Sequence, residues 1–163
     1  MNDELSSSAA KVQAVLRGMG LDCQVVELPG STRTAVEAAQ AVGCAVGQIV
    51  KSLVFRGKDS RRPLLVLASG SNRVDEKRLA GLAGEPVEKA DAEFTRVHTG
   101  FAIGGIPPVG HTERIDTFID ADLLAYTEVW AAAGTPHAVF RIAPLDLVRA
   151  AGGQTAPLKP VSG

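Results

Sequence analysis

The chain has 163 residues, with 17 lysines and arginines against 18 aspartates and glutamates and a formal net charge of −1. With 45% hydrophobic and 21% charged residues it has the make-up of one folded domain, not of a disordered or fibrous chain. No apolar run approaches the roughly 18 residues of a membrane span, and the N-terminal MNDELSSSAA lacks the basic flank and apolar stretch of a secretory signal, so a cytoplasmic setting with no membrane partner is expected.

In chain order, Ser6 to Ser8 can cap a helix over about 8–18, where Val12, Val15, Leu16 and Met19 form an apolar stripe and Gly20 ends it. Cys23 to Leu28 reads as a strand broken by Pro29-Gly30. Thr34 followed by Glu37 is a capping box, which predicts a helix over about 35–42 stopped by Gly43. Ile49 to Phe55 and Leu64 to Ala68 are rich in β-formers and separated by the polar turn Gly57 to Ser60, the pattern of a hairpin.

Asp75 caps a helix to about Ala83, ended by Gly84, and a short strand over 86–88 precedes a helix opened by Asp91. After a segment dense in Gly and Pro, Gly100 to Gly110, strands are expected over 115–119, 128–132 and 138–142. Pro144 starts a last helix to about Ala151, and Gln154 onward reads as a loose tail. Helices and strands are interspersed without strict alternation, and hairpins join several strands. That predicts an α+β single domain with a mixed sheet curled toward a barrel and surrounded by helices. The domain spans 8–152, between an N-terminal extension (1–7) and a flexible C-terminal tail (153–163).

Charge is uneven. Residues 51–80 hold eight basic side chains against three acidic ones, a local +5, which leaves −6 for the rest. Such asymmetry can steer an anionic partner to one face, although solvated hairpin and helix charges give the same pattern. Only five Phe, one Trp and one Tyr are present, too few for a stacking platform along single-stranded RNA. Cys23 and Cys44 have no C-x-x-C spacing, and His98, His111 and His137 are scattered, so no metal or other cofactor is expected.

Lys51 is conspicuous. On a strand it shares a face with Ile49, Leu53 and Phe55, and a half-buried ammonium needs an anionic or carbonyl partner, or its pKa falls. The same spacing fits a solvent-facing or snorkelling lysine. Ser52 projects to the opposite face, which argues against a Ser–Lys nucleophile pair. The glycines of the 100–111 loop would let backbone N–H groups approach a ligand while Pro107-Pro108 stiffens it; a structural turn would look alike.

The order of motifs carries more than any one of them. Thr32-Arg-Thr-Ala-Val-Glu-Ala-Ala39, Gln48-Ile-Val-Lys-Ser-Leu53, Ser69-Gly70 with Asp75 and Lys77, and Gly104-Gly-Ile-Pro-Pro-Val-Gly110 together resemble the YbaK/ProX family of aminoacyl-tRNA editing domains. That family is related to the insertion domain of bacterial prolyl-tRNA synthetase. The resemblance covers roughly residues 8–152. It implies the family's α+β fold and a freestanding, trans-acting deacylase that hydrolyses the ester of mischarged tRNA, typically tRNA(Pro). The implied partners are the acceptor end of an aminoacyl-tRNA and, as a candidate, prolyl-tRNA synthetase, with no DNA. Lys51 falls on the family's catalytic-site lysine and Gly104 to Pro108 on its G-x-x-x-P element.

On this basis the substrate-binding candidates are Val26, Thr32, Thr34, Ser69 and Gly70, and in the loop Gly100, Gly104, Gly105, Ile106, Pro108, Gly110 and His111. Arg56, Lys58, Arg73 and Lys77 are the candidate tRNA contacts. An aminoacyl ester is already activated, so orienting water and stabilising an oxyanion suffices, with the amides of Gly104 and Gly105 as expected donors. Cysteine-directed members carry Tyr and His before the second helix and an acid in the penultimate strand region. This chain has Val26 to Gly30 and Val139 there, which favours Ala, Ser, Thr or 2-aminobutyrate over Cys. The alternative is a non-catalytic module that binds tRNA or aminoacyl groups beside a synthetase.

Overall fold

The computed structural model describes residues 5–161. The four residues before them belong to the expected extension and lie outside the described range, as do residues 162 and 163 of the tail. Helix α1 (Ser7–Gly18) starts at Ser6, whose hydroxyl accepts from the Ala9 N–H, and it buries Ala9, Val12 and Leu16. Helix α2 (Ala35–Val42) has the expected reciprocal cap between Thr34 and Glu37 and ends at Gly43, where φ is 76°. The Asp75 and Asp91 side chains cap α3 (Glu76–Ala83) and α4 (Ala92–Thr99), and Pro144 opens α5 (Pro144–Ala151).

Eight strands form one mixed sheet: β1 (Val26–Glu27), β2 (Ile49–Gly57), β3 (Pro63–Ser69), β4 (Val87–Lys89), β5 (Asp116–Asp120), β6 (Val129–Ala132), β7 (Ala138–Ile142) and β8 (Gln154–Ala156). Their order is β1-β7-β6-β2-β3-β5-β8, with β4 added to β2. The path is open, so the sheet does not close into a barrel; its end strands are only two and three residues long. Both faces of the centre are covered. Leu65 and Leu67 pack with α1 and with Leu147 of α5, while Leu64, Val66 and Ala68 pack with Leu79 of α3 and Leu158. Burial on both faces explains why β3 is an unbroken apolar run and not an alternating one.

Two expectations fail locally. The strand from Cys23 shrinks to Val26–Glu27 because the Gln13 side chain takes the preceding backbone: its amide donates to the Cys23 C=O and its carbonyl accepts from the Val25 N–H, both at 2.8 Å. The loose tail instead pairs Gln154–Ala156 in parallel with Phe118–Asp120, and Leu158 is 1% exposed. A three-residue Gln-Thr-Ala strand has too little apolar alternation to announce itself.

The outer edge of β2 positions the site. Ile49 and Val50 pair with Trp130 and Ala131 of β6, and Phe55 to Gly57 pair with β4. Between them, on the edge of β2 away from β3, no strand lies beside Lys51–Leu53 among the described residues. Strand β6 stops at Ala132, and the Gly134 N–H donates to the Gly105 C=O at 2.8 Å, so the Gly/Pro loop packs where β6 would have continued.

Candidate active site

Two cavities of about 710 and 340 Å³ meet at that edge, sharing Lys51, Ser52, Leu53, Ile103 and Ile106 in their walls. The larger also takes in Arg73 and Lys89. The smaller is apolar on much of its wall, with Val50, Ala131 and Val139.

Lys51 is half-buried beside Ile49 and Phe55, which are 5% and 2% exposed, so its strand face is a covered one, as is the opposite face with Val50 and Val54. Its ammonium donates to the Asn72 C=O at 2.5 Å. Burial pushes its pKa below the ordinary lysine value, and the Asp120 carboxylate pulls it partly back. Asp120 is buried at the end of β5 and accepts from the Ser69 N–H (3.0 Å) and the Asn72 amide (2.9 Å). The same amide donates to Asp122 at 2.8 Å, and Lys159 closes on Asp122 at 3.1 Å. The residue whose backbone carbonyl holds Lys51 is thus itself anchored, through its side-chain amide, by two carboxylates.

Of the sequence candidates, Lys51, Thr32, Thr34, Gly104 and Ile106 converge on the smaller cavity, and Arg73 joins Lys51 on the larger. The threonines spend their polar atoms on the fold: the Thr32 hydroxyl donates to the Pro136 C=O, and the Thr34 hydroxyl accepts the α2 cap bond. Ser69 and Gly70 lie behind the site, where Ser69 is 1% exposed and its hydroxyl donates to the Gly47 C=O. Val26 sits on the sheet's outer edge, paired with Val139, and lines neither cavity.

Within the loop, Gly105 fits so tightly against Thr135 that an added Cβ would come within 2.9 Å of its backbone. Its N–H donates to the Ala102 C=O, so of the two expected donors Gly104 is the one whose N–H has no such bond among the described residues. Gly100 ends α4 with φ 84°, Pro108 is buried, and Gly110 turns the chain at φ 83°. The His111 ring donates to the Pro107 C=O at 2.7 Å, and burial lowers its pKa, so it braces the loop from behind. Arg56 is paired with Glu88 at 2.6 Å and stacked over Phe94; Lys58 lies on the hairpin turn, and Lys77 is exposed in the first turn of α3. Asn72, Asp120, Lys89 and the Ser52 edge escaped the sequence reading. Asp120, a carboxylate directly after an apolar strand, was the visible clue.

Among the described residues no three His, Cys, Asp or Glu side chains converge as a metal-binding set, and no helix is long and apolar enough to cross a membrane. The arrangement is a cation at the junction of a wide polar cleft and a small apolar pocket, with backbone donors alongside. It suits an ester whose one end is anionic and whose other end is small.

Comparison with known proteins agrees. The model of the aminoacyl-tRNA editing domain family matches residues 30–150. A crystal structure of a proposed trans-editing enzyme for prolyl tRNA synthetase superposes with a TM-score of 0.91 at 53% identity, covering 96% of this chain and 99% of that one. EbsC of Enterococcus faecalis, a proposed Cys-tRNA(Pro)/Cys-tRNA(Cys) deacylase, is 26% identical over 77% of this chain and 76% of its own. Proline–tRNA ligase of Limosilactobacillus fermentum is 33% identical over 58% of this chain, a stretch that is 17% of the ligase. The α+β fold and the family match together define an ester-cleaving enzyme. The chain belongs to the aminoacyl-tRNA editing domain family, and its activity is that of an aminoacyl-tRNA hydrolase.

Proposed function

We propose that the protein acts in trans on mischarged tRNA, tRNA(Pro) first, and removes a small residue such as Ala, Ser, Thr or 2-aminobutyrate. The supporting observation is the position of Lys51 where the two cavities join. The ammonium holds the terminal ribose or phosphate from the larger cavity, and the aminoacyl group enters the smaller one beside Gly104. Water attacks with help from the substrate's own ribose hydroxyl, so no protein base is required, and backbone donors meet the developing oxyanion. Val139 makes the small pocket apolar where cysteine-directed relatives carry an acid, which ranks Cys below Ala. EbsC keeps Cys in the panel as the competing substrate. Apolar pockets separate neighbours by about 1–3 kcal/mol per methylene, so esters one methylene apart should differ by about 10- to 200-fold in rate, with activity on more than one of them.

The test is tRNA(Pro) charged in turn with Ala, Ser, Thr, Cys and Pro, incubated with wild type and Lys51→Ala. Expected is release of the small residues, sparing of Pro, and a loss on the order of 100-fold in the variant. Preferred cleavage of the Cys ester overturns the substrate ranking, and indifference to Lys51→Ala overturns the role of the lysine.

A further inference from the structure

The open edge of β2 has a consequence for how the aminoacyl group is held. Along a strand, backbone groups of alternate residues point to opposite edges. The Ile49 C=O accepts from the Gly70 N–H and the Gly57 N–H donates to the Arg62 C=O, so the odd-numbered residues of β2 bond to β3. The even-numbered ones face the other way: Val50 pairs with β6, the Val54 C=O accepts from the Ala90 N–H, and Arg56 pairs with β4. Ser52 is the even residue between them. Its N–H and C=O point into the gap where, among the described residues, no strand partner lies, and Ser52 lines both cavities. Its hydroxyl is buried without a hydrogen-bond partner among the described residues. A buried strand normally leaves no such set of polar groups unanswered.

Resting on the deacylase reading above, we infer that the backbone of Ser52 binds the aminoacyl group as if it were one residue of a neighbouring strand. An α-amino ester carries a donor and a carbonyl acceptor on the two sides of one Cα, the arrangement that a strand residue offers in a doubly bonded antiparallel pair. The Ser52 C=O accepts from the substrate's α-ammonium, a charge-assisted bond. The Ser52 N–H donates to the ester carbonyl and stays with it as it becomes the tetrahedral oxyanion. This supplies a second backbone donor beside Gly104, since the Gly105 N–H is committed to Ala102. Recognition through main chain fits an enzyme that accepts several small side chains, because the bonded atoms are common to all of them. It also makes the α-ammonium a requirement, which separates aminoacyl esters from other acyl esters.

The experiment uses the full chain and two changes. On the substrate side, the ester that wild type cleaves fastest is compared with its α-hydroxy and its des-amino counterparts on the same tRNA, each rate divided by that ester's spontaneous hydrolysis. On the protein side, Ser52 is replaced by glyceric acid, which turns the 51–52 amide into an ester: it deletes the Ser52 N–H and weakens the Lys51 C=O, whose partner is β3 and not the gap. Expected are losses in kcat/KM of about tenfold for the hydroxy ester and up to about 100-fold for the des-amino ester. The backbone-ester protein should lose about 10- to 100-fold on the natural ester. Equal normalised rates across the series overturn the inference, as does wild-type activity in a backbone-ester protein whose circular dichroism is unchanged. If that protein does not fold, the substrate series decides alone. Failure of wild type to cleave any aminoacyl ester is a different result, which removes the deacylase reading and this assignment with it.

Discussion

Lys51 illustrates how far a single residue can be followed from spacing to chemistry. Alternation placed it on an apolar face, and the strand does bury Ile49 and Phe55 on that side. What alternation could not supply is the partner. The carbonyl of Asn72 and the carboxylate of Asp120 come from a turn and a strand that are distant in sequence, and only the sheet brings them together. Because burial lowers its pKa, Lys51 loses its proton at a lower pH in the folded chain than in the unfolded one. Between that folded-state value and the ordinary 10.5, the unfolded chain binds more protons, so stability rises with pH across this window. Catalysis moves the opposite way, since a neutral amine cannot hold a phosphate. We therefore expect kcat/KM to fall on the alkaline side of the pH profile while thermal stability there increases. Lys51→Met should lose about 100-fold in kcat/KM, remove the alkaline rise in stability, and unfold at a temperature no lower than wild type at neutral pH. A pH–rate profile and parallel calorimetry check this; a clearly lower Tm would show that the ammonium stabilises the fold.

At the scale of elements, legibility followed local chemistry. Helices α2, α3 and α5 fall where their caps and terminal glycines put them, and β7 matches its apolar run. Strands β1 and β8 depart from the local pattern because their limits are set by a glutamine on α1 and by the exposed edge of β5, neither of which is local. The candidate site divides in the same way. Lys51 and Gly104 carry their own signals, whereas the gap opposite Ser52 exists only because β4 and β6 cover different ends of β2.

Glycine shows the same dependence on distant neighbours. At Gly70 an added Cβ would run into the Val46 C=O and lie 2.9 Å from the Ala35 Cβ, so the turn after β3 packs directly on the start of α2. Gly70→Ala should cost about 1–3 kcal/mol and disturb the wall of the smaller cavity, raising KM. Gly81 is chemically the same residue inside α3, with nothing within 4 Å of its missing Cβ. There alanine should stabilise by about 0.5–1 kcal/mol. Urea unfolding of the two variants gives opposite signs if the packing argument is right.

The whole molecule changes the meaning of its charge. The local +5 of residues 51–80 is a property of the chain, not of a surface. Arg56 is neutralised by Glu88, and Arg62 by Glu85 at 3.3 Å and Asp116 at 2.8 Å, all three acids lying outside that window. Lys58 stands seven residues along β2 from Lys51, roughly 20 Å away at strand rise. The cations left around the cavities are Lys51, Arg73 and Lys89 on the larger and Arg33 beside Gly104 on the smaller, with Lys77 next to them on α3. Four or five phosphate contacts are therefore the most this face can make, and the acceptor end is single-stranded. At about 0.7 counterions released per contact, a plot of log affinity against log salt should have a slope of about −3 to −3.5. Arg73→Ala should reduce that slope by about 0.7, whereas Arg149→Ala, paired with Asp146 on α5, should leave it unchanged. Filter binding of tRNA(Pro) between 50 and 300 mM salt measures both. A slope near −6 would require contacts with the body of the tRNA, beyond the cations that surround the two cavities.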